Sequence, residues 1–272
     1  MPDQYAVIGN PIRHSKSPAI HAEFARQTGQ DLTYVALSAE PDEFETIVQR
    51  FRHEGGRGMN VTLPFKHRAF ALASERSARA VEADAANTLS FRDSVVAADN
   101  TDGAGLVRDL TSNLGCALRG ARILLMGAGG AAYGVCGPLL GQRPARLVIA
   151  NRTVEKAVAL CERFRSAHAG VALDALSFGA LSAERFEIVI NATSAGLHAE
   201  SPPLPDGVFA AGALAYDMVY GRATPFLDFA QREGARIADG LGMLVEQAAE
   251  SFFIWRGVRP QTAPVIALLG SS

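Results

Sequence analysis

The chain has little of what marks secreted, metal-binding or nucleic-acid-binding proteins. Its three cysteines are an odd number without metal-ligand spacing, which argues against a disulfide framework and indicates a reducing compartment. None of its six histidines lies in an H-E-x-x-H pattern, so we expect no metal. A net charge of −2 leaves no basic footprint, so we expect no nucleic-acid partner.

Long apolar runs are equally scarce. The one uncharged stretch long enough to span a bilayer runs from Ile123 to Leu140, but it contains five glycines and Pro138. That composition fits a strand, a turn and a helix better than a membrane span. The amino-terminal residues lack the basic-then-apolar pattern of a secretory signal, and Asp3 comes early. We therefore expect a cytoplasmic protein that has no membrane segment.

What the chain does have is an alternation of apolar strands and amphipathic helices. Its 272 residues, with 48% hydrophobic and 20% charged side chains, suggest about two globular domains. Strands alternating with helices predict α/β folds with mostly parallel sheets. We expect a first α/β domain over residues 1–102, a doubly wound domain over 103–240, and helices over 241–272 that return to the first domain.

A glycine turn at residues 127–132 is the clearest local motif. Gly127, Gly129 and Ala132 follow an apolar strand and fit the dinucleotide-binding pattern G-x-G-x-x-G/A. Such a turn brings main-chain N–H groups and a helix N-terminus to a pyrophosphate. Gly127 would make the tight turn, Gly129 would allow the phosphate to approach, and Ala132 would let helix and strand pack closely. A small-residue turn without a ligand is the alternative.

The segment after the next strand indicates which dinucleotide is bound. NAD enzymes carry an acidic residue about 20 residues past the glycines, which binds the ribose 2′-hydroxyl. Here Asn151, Arg152 and Thr153 follow the strand at residues 146–150. A guanidinium fork matches a 2′-phosphate, and Lys156 adds charge one helical turn later. We therefore predict NADP as the cofactor; the alternative is that both cations are solvated residues at a helix start.

Polar residues in the first domain cluster at predicted strand ends. Ser15 and Ser17 precede Pro18, so that Ser17 is predicted as a helix cap and both hydroxyls as candidate carboxylate ligands. Asn60 and Thr62 alternate along a strand that leads to Lys66. Further short polar groups are Asn87, Thr88, Asp99, Asn100, Thr101 and Asp102. Polar turns would explain any one cluster, but explain all of them together poorly.

Together these motifs resemble the shikimate dehydrogenase family over nearly the whole chain. The matching segments are Gly9–Pro18, Asn60–Lys66, Asn87–Thr88, Asp99–Gly103, Gly127–Ala131, Asn151–Thr153, Asn191–Ser194, Tyr216–Tyr220 and Asp239–Met243. The resemblance implies reversible, NADP-linked reduction of 3-dehydroshikimate to shikimate, a step towards chorismate and the aromatic amino acids. It also implies a substrate domain followed by a Rossmann-type NADP-binding domain.

The resemblance further implies roles for individual residues. Ser15 and Ser17 would hold the substrate carboxylate, with Tyr220 close by, and Lys66 would be the acid/base residue paired with Asp102. The ring hydroxyls would be held by Asn60, Thr62, Asn87, Asp102 and Gln247. The cofactor would be surrounded by Gly127, Ala128, Gly129, Gly130, Ala131, Asn151, Arg152, Thr153, Lys156, Thr193, Met218 and Gly240.

Some positions depart from the family pattern and keep alternatives open. Asp84, Ala85 and Ala86 stand where the family usually has Gly-Ala-Val, and Ala132 and Tyr133 where it often has serine and arginine. A carboxylate at position 84 could reshape the cleft. The alternatives are a quinate/shikimate dehydrogenase, an enzyme for a related polyol acid, and a non-catalytic NADPH-binding sensor. We expect a monomer or homodimer that acts on a small molecule.

Overall fold

The computed structural model describes residues 1–193 and 203–270, and the chain divides into two units. Unit 1 comprises residues 1–105 and 244–272, and unit 2 comprises residues 106–243. Each boundary falls three residues after the expected one, at 105 rather than 102 and at 243 rather than 240.

Unit 1 is built on a six-stranded mixed sheet of order β2-β1-β3-β5-β6-β4. Its strands are β1 (Asp3–Gly9), β2 (Leu32–Ser38), β3 (Gly56–Val61), β4 (Glu75–Arg76), β5 (Thr88–Arg92) and β6 (Val95–Asp99). Its helices are α1 (Ser17–Thr28), α2 (Phe44–His53), α3 (Lys66–Leu72) and α4 (Ala78–Ala83). β1 pairs in parallel with β2 and β3, whereas β5 runs antiparallel to β3 and β6. Three of the five pairings are parallel, and β5 and β6 form the hairpin that the apolar runs at residues 89–91 and 95–98 predict.

The first helix shows where local sequence signals succeed and fail. A glycine after the helical run that ends near Thr28 predicts a helix end at Gly29. Gly29 does end α1, at φ +64°, a left-handed conformation that glycine adopts without steric cost. The prediction that Ser17 caps this helix is wrong. Lys16 occupies the cap position without a side-chain cap, and Ser17 is already helical. Instead, the Ser15 hydroxyl oxygen accepts from the Ser17 N–H at 3.2 Å.

Unit 2 is built on a six-stranded sheet of order β12-β11-β10-β7-β8-β9, in which every pairing is parallel. Its strands are β7 (Arg122–Met126), β8 (Arg146–Ala150), β9 (Ala172–Leu176), β10 (Phe186–Asn191), β11 (Phe209–Asp217) and β12 (Arg236–Ala238). Its helices include α6 (Gly130–Gly141), α7 (Val154–Arg165) and α8 (Pro225–Arg232). This arrangement is the doubly wound Rossmann topology, and the strand order reverses between β7 and β10.

Three further helices lie at or after the boundaries between the units. The first boundary falls within α5 (Asp102–Arg108), the second falls within α9 (Leu241–Arg256), and α10 (Ala263–Gly270) follows α9. A π-helical turn over Asp109–Asn113 continues α5, and a 3₁₀ turn covers Phe178–Ala183. Among the described helices, none combines the length and apolar composition needed to cross a bilayer.

The two sheets bury different kinds of surface. In unit 2, β7, β8 and β10 are almost wholly buried because helices cover both faces of a parallel sheet. In unit 1, β2 lies at the sheet edge and about half of its side chains remain exposed. The carboxyl ends of β1, β3, β7 and β10 therefore lead out of well-packed strands into the segments that carry the predicted polar residues.

Candidate functional site

An ion pair between Lys66 and Asp102 lies at the centre of the polar residues of unit 1. Lys66 is the first residue of α3 and Asp102 the first of α5, and Lys66 Nζ lies 2.5 Å from Asp102 Oδ2. Their side chains are 22% and 10% exposed, so the pair is sheltered but still reachable. An ammonium at this edge can donate a proton or a hydrogen bond to a bound oxygen atom.

Asn87 orients the carboxylate of that pair. Its Nδ2 lies 2.8 Å from Asp102 Oδ1, and also 2.9 Å from Thr101 Oγ1 and 3.1 Å from Gln247 Oε1. Its Oδ1 accepts from the Thr101 main-chain N–H at 2.8 Å. Because a backbone N–H can only donate, Asn87 must turn its amide hydrogens towards Asp102. Four predicted residues, Lys66, Asn87, Asp102 and Gln247, thus lie in one network.

Asn60 belongs to a second layer of this network, together with a tyrosine that the sequence did not single out. Asn60 Nδ2 donates to the Asn87 carbonyl oxygen at 3.1 Å, and Tyr34 donates its hydroxyl hydrogen to Asn60 Oδ1 at 2.8 Å. Burial raises the pKa of Tyr34, so the phenol keeps its proton. Tyr34 was hard to identify from the sequence because it lies in an edge strand, where buried and exposed side chains do not alternate regularly.

Ser251 ties that layer to α9. Its hydroxyl lies 3.0 Å from Asn60 Nδ2, 2.8 Å from Thr88 Oγ1 and 3.2 Å from Thr101 Oγ1, and it is fully buried. Ser251 follows Gln247 by one helical turn, so both side chains face the same side of α9. The carboxyl-terminal helix therefore completes the polar network of unit 1.

The three remaining predicted residues of unit 1 follow β1 and β3. Ser15 is half-buried and Ser17 is buried at the start of α1, while Thr62 follows β3 directly. The Thr62 N–H donates to the Ile8 carbonyl oxygen, and an added Cβ at Gly9 would meet Thr62 Cγ2 at 2.4 Å. Gly9 is thus required for the close approach of the two turns that carry these hydroxyls.

His21 is an unusual neighbour of this polar layer. Its imidazole is 1% exposed and stacks on Tyr34 with ring centroids 4.1 Å apart and planes 5° apart. Within residues 1–193 and 203–270, neither ring nitrogen is in hydrogen-bonding geometry with a partner. Burial, partly offset by the nearby Asn60 side chain, lowers the pKa of His21 to about 3. The ring is therefore a neutral aromatic support for Tyr34 at neutral pH.

Asp84 stands where the family usually has glycine, and its main-chain conformation explains why glycine is usual there. Asp84 is exposed and terminates α4 at φ +52°, in the left-handed region that favours glycine. Ala85 and Ala86 are fully buried, and the Ala86 N–H donates to the Lys66 carbonyl oxygen at 2.9 Å. The glycine usual at this position therefore matches the conformation that Asp84 adopts at the end of α4.

The glycine turn of unit 2 has the geometry that a pyrophosphate site needs. Gly127 adopts φ +102°, and an added Cβ would lie 3.1 Å from both the Ala192 carbonyl oxygen and Thr193 Cγ2. Gly129 caps α6, and an added Cβ there would meet no heavy atom within 4 Å. The open space at Gly129 lies beside the N-terminus of a twelve-residue helix that begins at Gly130. Ala128 is buried, Ala131 is half-buried, and Ala132 is buried where α6 packs on the sheet.

The predicted phosphate-binding cations follow β8. Asn151 is half-buried and its Nδ2 donates to the Thr153 carbonyl oxygen at 2.8 Å, which fixes the turn into α7. Arg152, Thr153 and Lys156 are all exposed. Tyr133, which stands where an arginine is common, packs against the core of unit 2, and the Arg163 guanidinium lies 6.0 Å from its ring centroid.

The last predicted cofactor residues follow β10, β11 and β12. Thr193 and Met218 are half-buried, and the Met218 N–H donates to the Asn191 carbonyl oxygen at 3.0 Å. Gly240 is buried, and an added Cβ would meet the Met218 carbonyl oxygen at 2.3 Å, so only glycine fits there. Tyr220 is half-buried in unit 2, and burial raises its pKa. Ser194, the last residue of its motif, lies outside the described residues.

Metal ligation receives no support from the described side chains. Within residues 1–193 and 203–270, no three His, Cys, Asp or Glu residues are grouped so as to hold a metal ion.

Comparisons with known proteins agree with this geometry. Residues 7–89 match the family described as shikimate dehydrogenase substrate binding domain, residues 109–199 match shikimate/quinate 5-dehydrogenase, and residues 240–269 match the shikimate 5′-dehydrogenase C-terminal domain.

Relatives match over nearly their whole length. The shikimate dehydrogenase (NADP(+)) of Aromatoleum aromaticum is 61% identical, over 98% of this chain and 96% of its own. The crystal structure of an Ael1 enzyme from Pseudomonas putida is 52% identical, covers 98% of both chains and superposes with a TM-score of 0.92. Shikimate 5-dehydrogenase from Thermus thermophilus, in complex with NADP(H) and shikimate, is 30% identical over 97% of both chains, with a TM-score of 0.86. The chain belongs to the shikimate dehydrogenase family.

Proposed function

We propose that the chain catalyses the reversible, NADP-linked reduction of 3-dehydroshikimate to shikimate. The observation that carries this proposal is the Lys66–Asp102 pair, held by Asn87 and Gln247 at one edge of unit 1. Relatives named shikimate dehydrogenase (NADP(+)), at 59% and 61% identity over 98% of the chain, support the same reaction. An intact acid/base pair argues against the alternative of a non-catalytic NADPH sensor.

Lys66 acts as the general acid in ketone reduction. When bound, the reduced nicotinamide cofactor supplies a hydride to the ketone carbon, and negative charge develops on the ketone oxygen. Lys66 Nζ stabilises that oxygen and donates a proton to it, a contribution of about 10²–10⁴-fold to the rate. Asp102 holds the ammonium in place through one carboxylate oxygen, while Asn87 holds the other. In alcohol oxidation the same proton moves back to Lys66.

The other predicted residues of unit 1 bind the rest of the substrate. Ser15 and Ser17 hold the carboxylate near the start of α1. Asn60, Thr62, Asn87, Asp102 and Gln247 hold the ring hydroxyls. The sheltered position of the network supports this assignment, since hydrogen bonds in a partly desolvated site discriminate more strongly between substrates than exposed ones.

Unit 2 holds NADP. The positive φ of Gly127, the open space at Gly129 and the N-terminus of α6 together suit a pyrophosphate. The exposed cations Arg152 and Lys156 suit a 2′-phosphate. Asn151, Thr153, Thr193, Met218 and Gly240 complete the cofactor site, at the carboxyl ends of parallel strands on both sides of the point where the strand order reverses.

We further propose that the protein acts in the cytoplasm as a monomer or homodimer. The three free cysteines, Cys116, Cys136 and Cys161, support a reducing compartment. Analytical ultracentrifugation at micromolar protein concentration distinguishes the two assemblies, and a larger particle would contradict both.

Initial-rate oxidation of shikimate and of quinate, each with NADP and with NAD, tests the proposed reaction. We expect turnover of shikimate with NADP to exceed that with NAD at least about tenfold, since a charge-assisted contact to the 2′-phosphate contributes about 1.5–3 kcal/mol. We also expect turnover of shikimate to exceed that of quinate. Comparable turnover of quinate would instead favour the broader quinate/shikimate activity. Binding of NADPH without turnover of either acid would favour another polyol acid or a sensor.

A further inference from the structure

Asp217 is a buried carboxylate that none of the predicted roles uses. It ends β11, it is 0% exposed, and it accepts three hydrogen bonds. The Val219 N–H donates to Oδ1 at 3.0 Å, while Asn191 Nδ2 at 3.1 Å and Thr224 Oγ1 at 2.7 Å donate to Oδ2. A carboxylate without water needs such donors, because an unpartnered buried charge is very costly.

One of these donors links Asp217 to the turn that carries Thr193. Asn191 ends β10 in direct register with Asp217 on β11 and is likewise 0% exposed. Its Oδ1 accepts from the Thr193 N–H at 3.1 Å and from the Thr193 hydroxyl at 2.7 Å. Three side chains from two adjacent strand ends therefore form one continuous chain of hydrogen bonds.

The direction of hydrogen-bond donation from Thr193 through Asn191 to Asp217 is fixed at both ends. A carboxylate can only accept, so Asn191 must turn its NH₂ towards Asp217. A backbone N–H can only donate, so Asn191 must turn its carbonyl oxygen towards Thr193. Because the Thr193 hydroxyl hydrogen is directed to Asn191, the Thr193 oxygen faces any other group as an acceptor.

The same strand ends hold the glycine turn. The Ala192 N–H donates to the Met126 carbonyl oxygen at 2.9 Å, and the Met218 N–H donates to the Asn191 carbonyl oxygen at 3.0 Å. Ala192 and Thr193 also lie against Gly127, where an added Cβ would come within 3.1 Å of either residue. A shift of Asn191 would thus move the turn after β10 relative to the pyrophosphate turn.

We propose that Asp217 is a positioning residue for the dinucleotide, which acts by fixing the hydrogen-bond direction of Asn191 and Thr193. Through these hydrogen bonds Asp217 fixes the turn after β10, which lies against Gly127 of the pyrophosphate turn. The inference rests on the proposed function, since it assumes that unit 2 binds NADP. Asp217 itself contacts neither substrate nor cofactor.

The substitution Asp217→Asn tests the direction with almost no change in shape. It leaves one acceptor oxygen where the carboxylate had two. Either Asn191 then faces an NH₂ and must flip its amide towards the Thr193 N–H, or the Val219 N–H loses its acceptor and the end of β11 must shift. We expect the dissociation constant for NADPH, measured by fluorescence titration, to rise about tenfold or more. The KM for shikimate at saturating NADP should stay within about twofold. Asp228→Asn, the same change at an exposed position of α8, is the matched control and should leave both constants unchanged.

The double variant Asp217→Asn/Asn191→Asp is the decisive comparison. The carboxylate at position 191 can accept from the new amide at position 217 and from both Thr193 donors. The acceptor that Thr193 faces is thereby restored, while the hydrogen bond between positions 191 and 217 is reversed. We expect NADPH affinity to return to within about threefold of the unsubstituted protein, whereas Asn191→Asp alone, with two facing carboxylates, should bind weakly. If Asp217→Asn does not fold, the comparison of Asn191→Asp with the double variant decides.

Unchanged NADPH affinity in folded Asp217→Asn, or no recovery in the folded double variant, would overturn the proposal. Hydrogen exchange of the Thr193 amide provides a readout that does not need activity. Its exchange should be faster in Asp217→Asn and slow again in the double variant. If the unsubstituted protein bound NADPH but oxidised no acid, the proposed reaction would fail while these affinities still decided the role of Asp217. Absence of NADPH binding by the unsubstituted protein would overturn both.

Discussion

The two units prepare their sites in different ways. In unit 1, the reactive side chains already contact one another, from Lys66 through Asp102 and Asn87 to Gln247. In unit 2, the candidate phosphate site consists of main-chain N–H groups at a glycine turn and two exposed cations, Arg152 and Lys156. The first site is organised by contacts between its own side chains, whereas the second offers groups whose contacts a ligand would complete.

This contrast matches what each site must do. The proposed proton transfer requires Nζ of Lys66 at a defined place before the reaction begins, and a buried network supplies that preorganisation. Binding a charged dinucleotide needs accessible donors and room for a phosphate, which the open space at Gly129 provides. Substitutions in unit 1 should therefore act mainly on kcat or on substrate affinity, and those at the exposed cations of unit 2 on cofactor choice.

The largest expected effect comes from removing the acid. Lys66→Ala should lower kcat about 10²–10⁴-fold, because no other group replaces the proton donor, while the KM for shikimate changes little. Steady-state kinetics in both directions measures this. Arg50→Ala, which removes an exposed cation from α2, is the control and should retain full activity. A Lys66→Ala enzyme with normal kcat would remove Lys66 from the mechanism.

A smaller effect is expected from reversing the charge at the cofactor edge. Arg152→Asp should raise the KM for NADP about 10–100-fold, because a charge-assisted contact to the 2′-phosphate is replaced by repulsion. The KM for NAD should change much less, and kcat should persist at saturating cofactor. Arg232→Asp, at an exposed position of α8, makes the same charge change as a control. An equal increase in KM for NADP and for NAD would show that Arg152 does not contact the 2′-phosphate.

Burial of His21 against Tyr34 should make the stability of unit 1 sensitive to acid. The folded-state pKa of His21 is lowered from 6.5 to about 3, so the unfolded state binds the proton more readily. Its contribution to stability is present above pH 6.5 and is lost progressively as the pH falls towards 3. Between about pH 7 and 5.5, protonation of His21 in the unfolded state should lower the free energy of unfolding by about 1.3 kcal/mol. Chemical denaturation at the two pH values should show that His21→Phe removes this loss. His53→Phe, at an exposed site, should leave the slope unchanged, and an identical slope in His21→Phe would contradict the burial argument.

Tyr34→Phe tests how far the preorganisation of unit 1 extends. Loss of the hydroxyl removes one hydrogen bond to Asn60, of about 1 kcal/mol, so the KM for shikimate should rise about fivefold. The kcat should stay within about twofold, since Lys66 and Asp102 keep their contact. Tyr5→Phe removes a hydroxyl elsewhere in unit 1 and should leave KM unchanged. If KM is also unchanged in Tyr34→Phe, Asn60 does not depend on Tyr34 for its orientation.

The smallest effect separates backbone strain from substrate contact at position 84. Asp84→Gly should stabilise the fold by about 0.5–1 kcal/mol at its positive φ, although the greater freedom of glycine when unfolded reduces the gain. Thermal unfolding measures this change. Activity on shikimate and quinate should be unaltered because Asp84 is exposed at the end of α4. A changed ratio of the two activities would mean that the carboxylate reaches the substrate.

Local signals predicted most of the framework but not its short or exposed elements. Gly29 and the apolar strand before Gly127 mark boundaries that the structure reproduces, because one is decided by the conformational preference of a single residue and the other by burial of one run. Neither β4 nor β12, with two and three residues, had a clear signal in the chain. Such short strands exist only because a neighbouring strand offers hydrogen bonds.

Motifs also singled out most of the candidate site residues, whereas they did not specify the partners of those residues. Lys66, Asp102, Asn87 and the glycine turn stood out from their neighbours along the chain. Tyr34 and Ser251 carried no comparable signal, and Asp217 lay in a matching segment without an assigned role, because each acts through a residue far away in sequence. Tyr34 and Asn60 are 26 residues apart, and Asn60 and Ser251 are 191 apart. No local pattern specifies such a contact.

Residue type and spacing were enough to establish the alternation of strands and helices, the glycine turn, the lack of an acidic residue at the end of β8, and the family. A linear pattern contains this information because each feature depends on neighbours along the chain. That Asn191 lies beside Asp217, that His21 is buried against Tyr34, and that Asp84 adopts a left-handed backbone emerged only from the folded chain. Hydrogen-bond direction, burial and backbone conformation depend on which elements become neighbours, and that follows from strand order and packing.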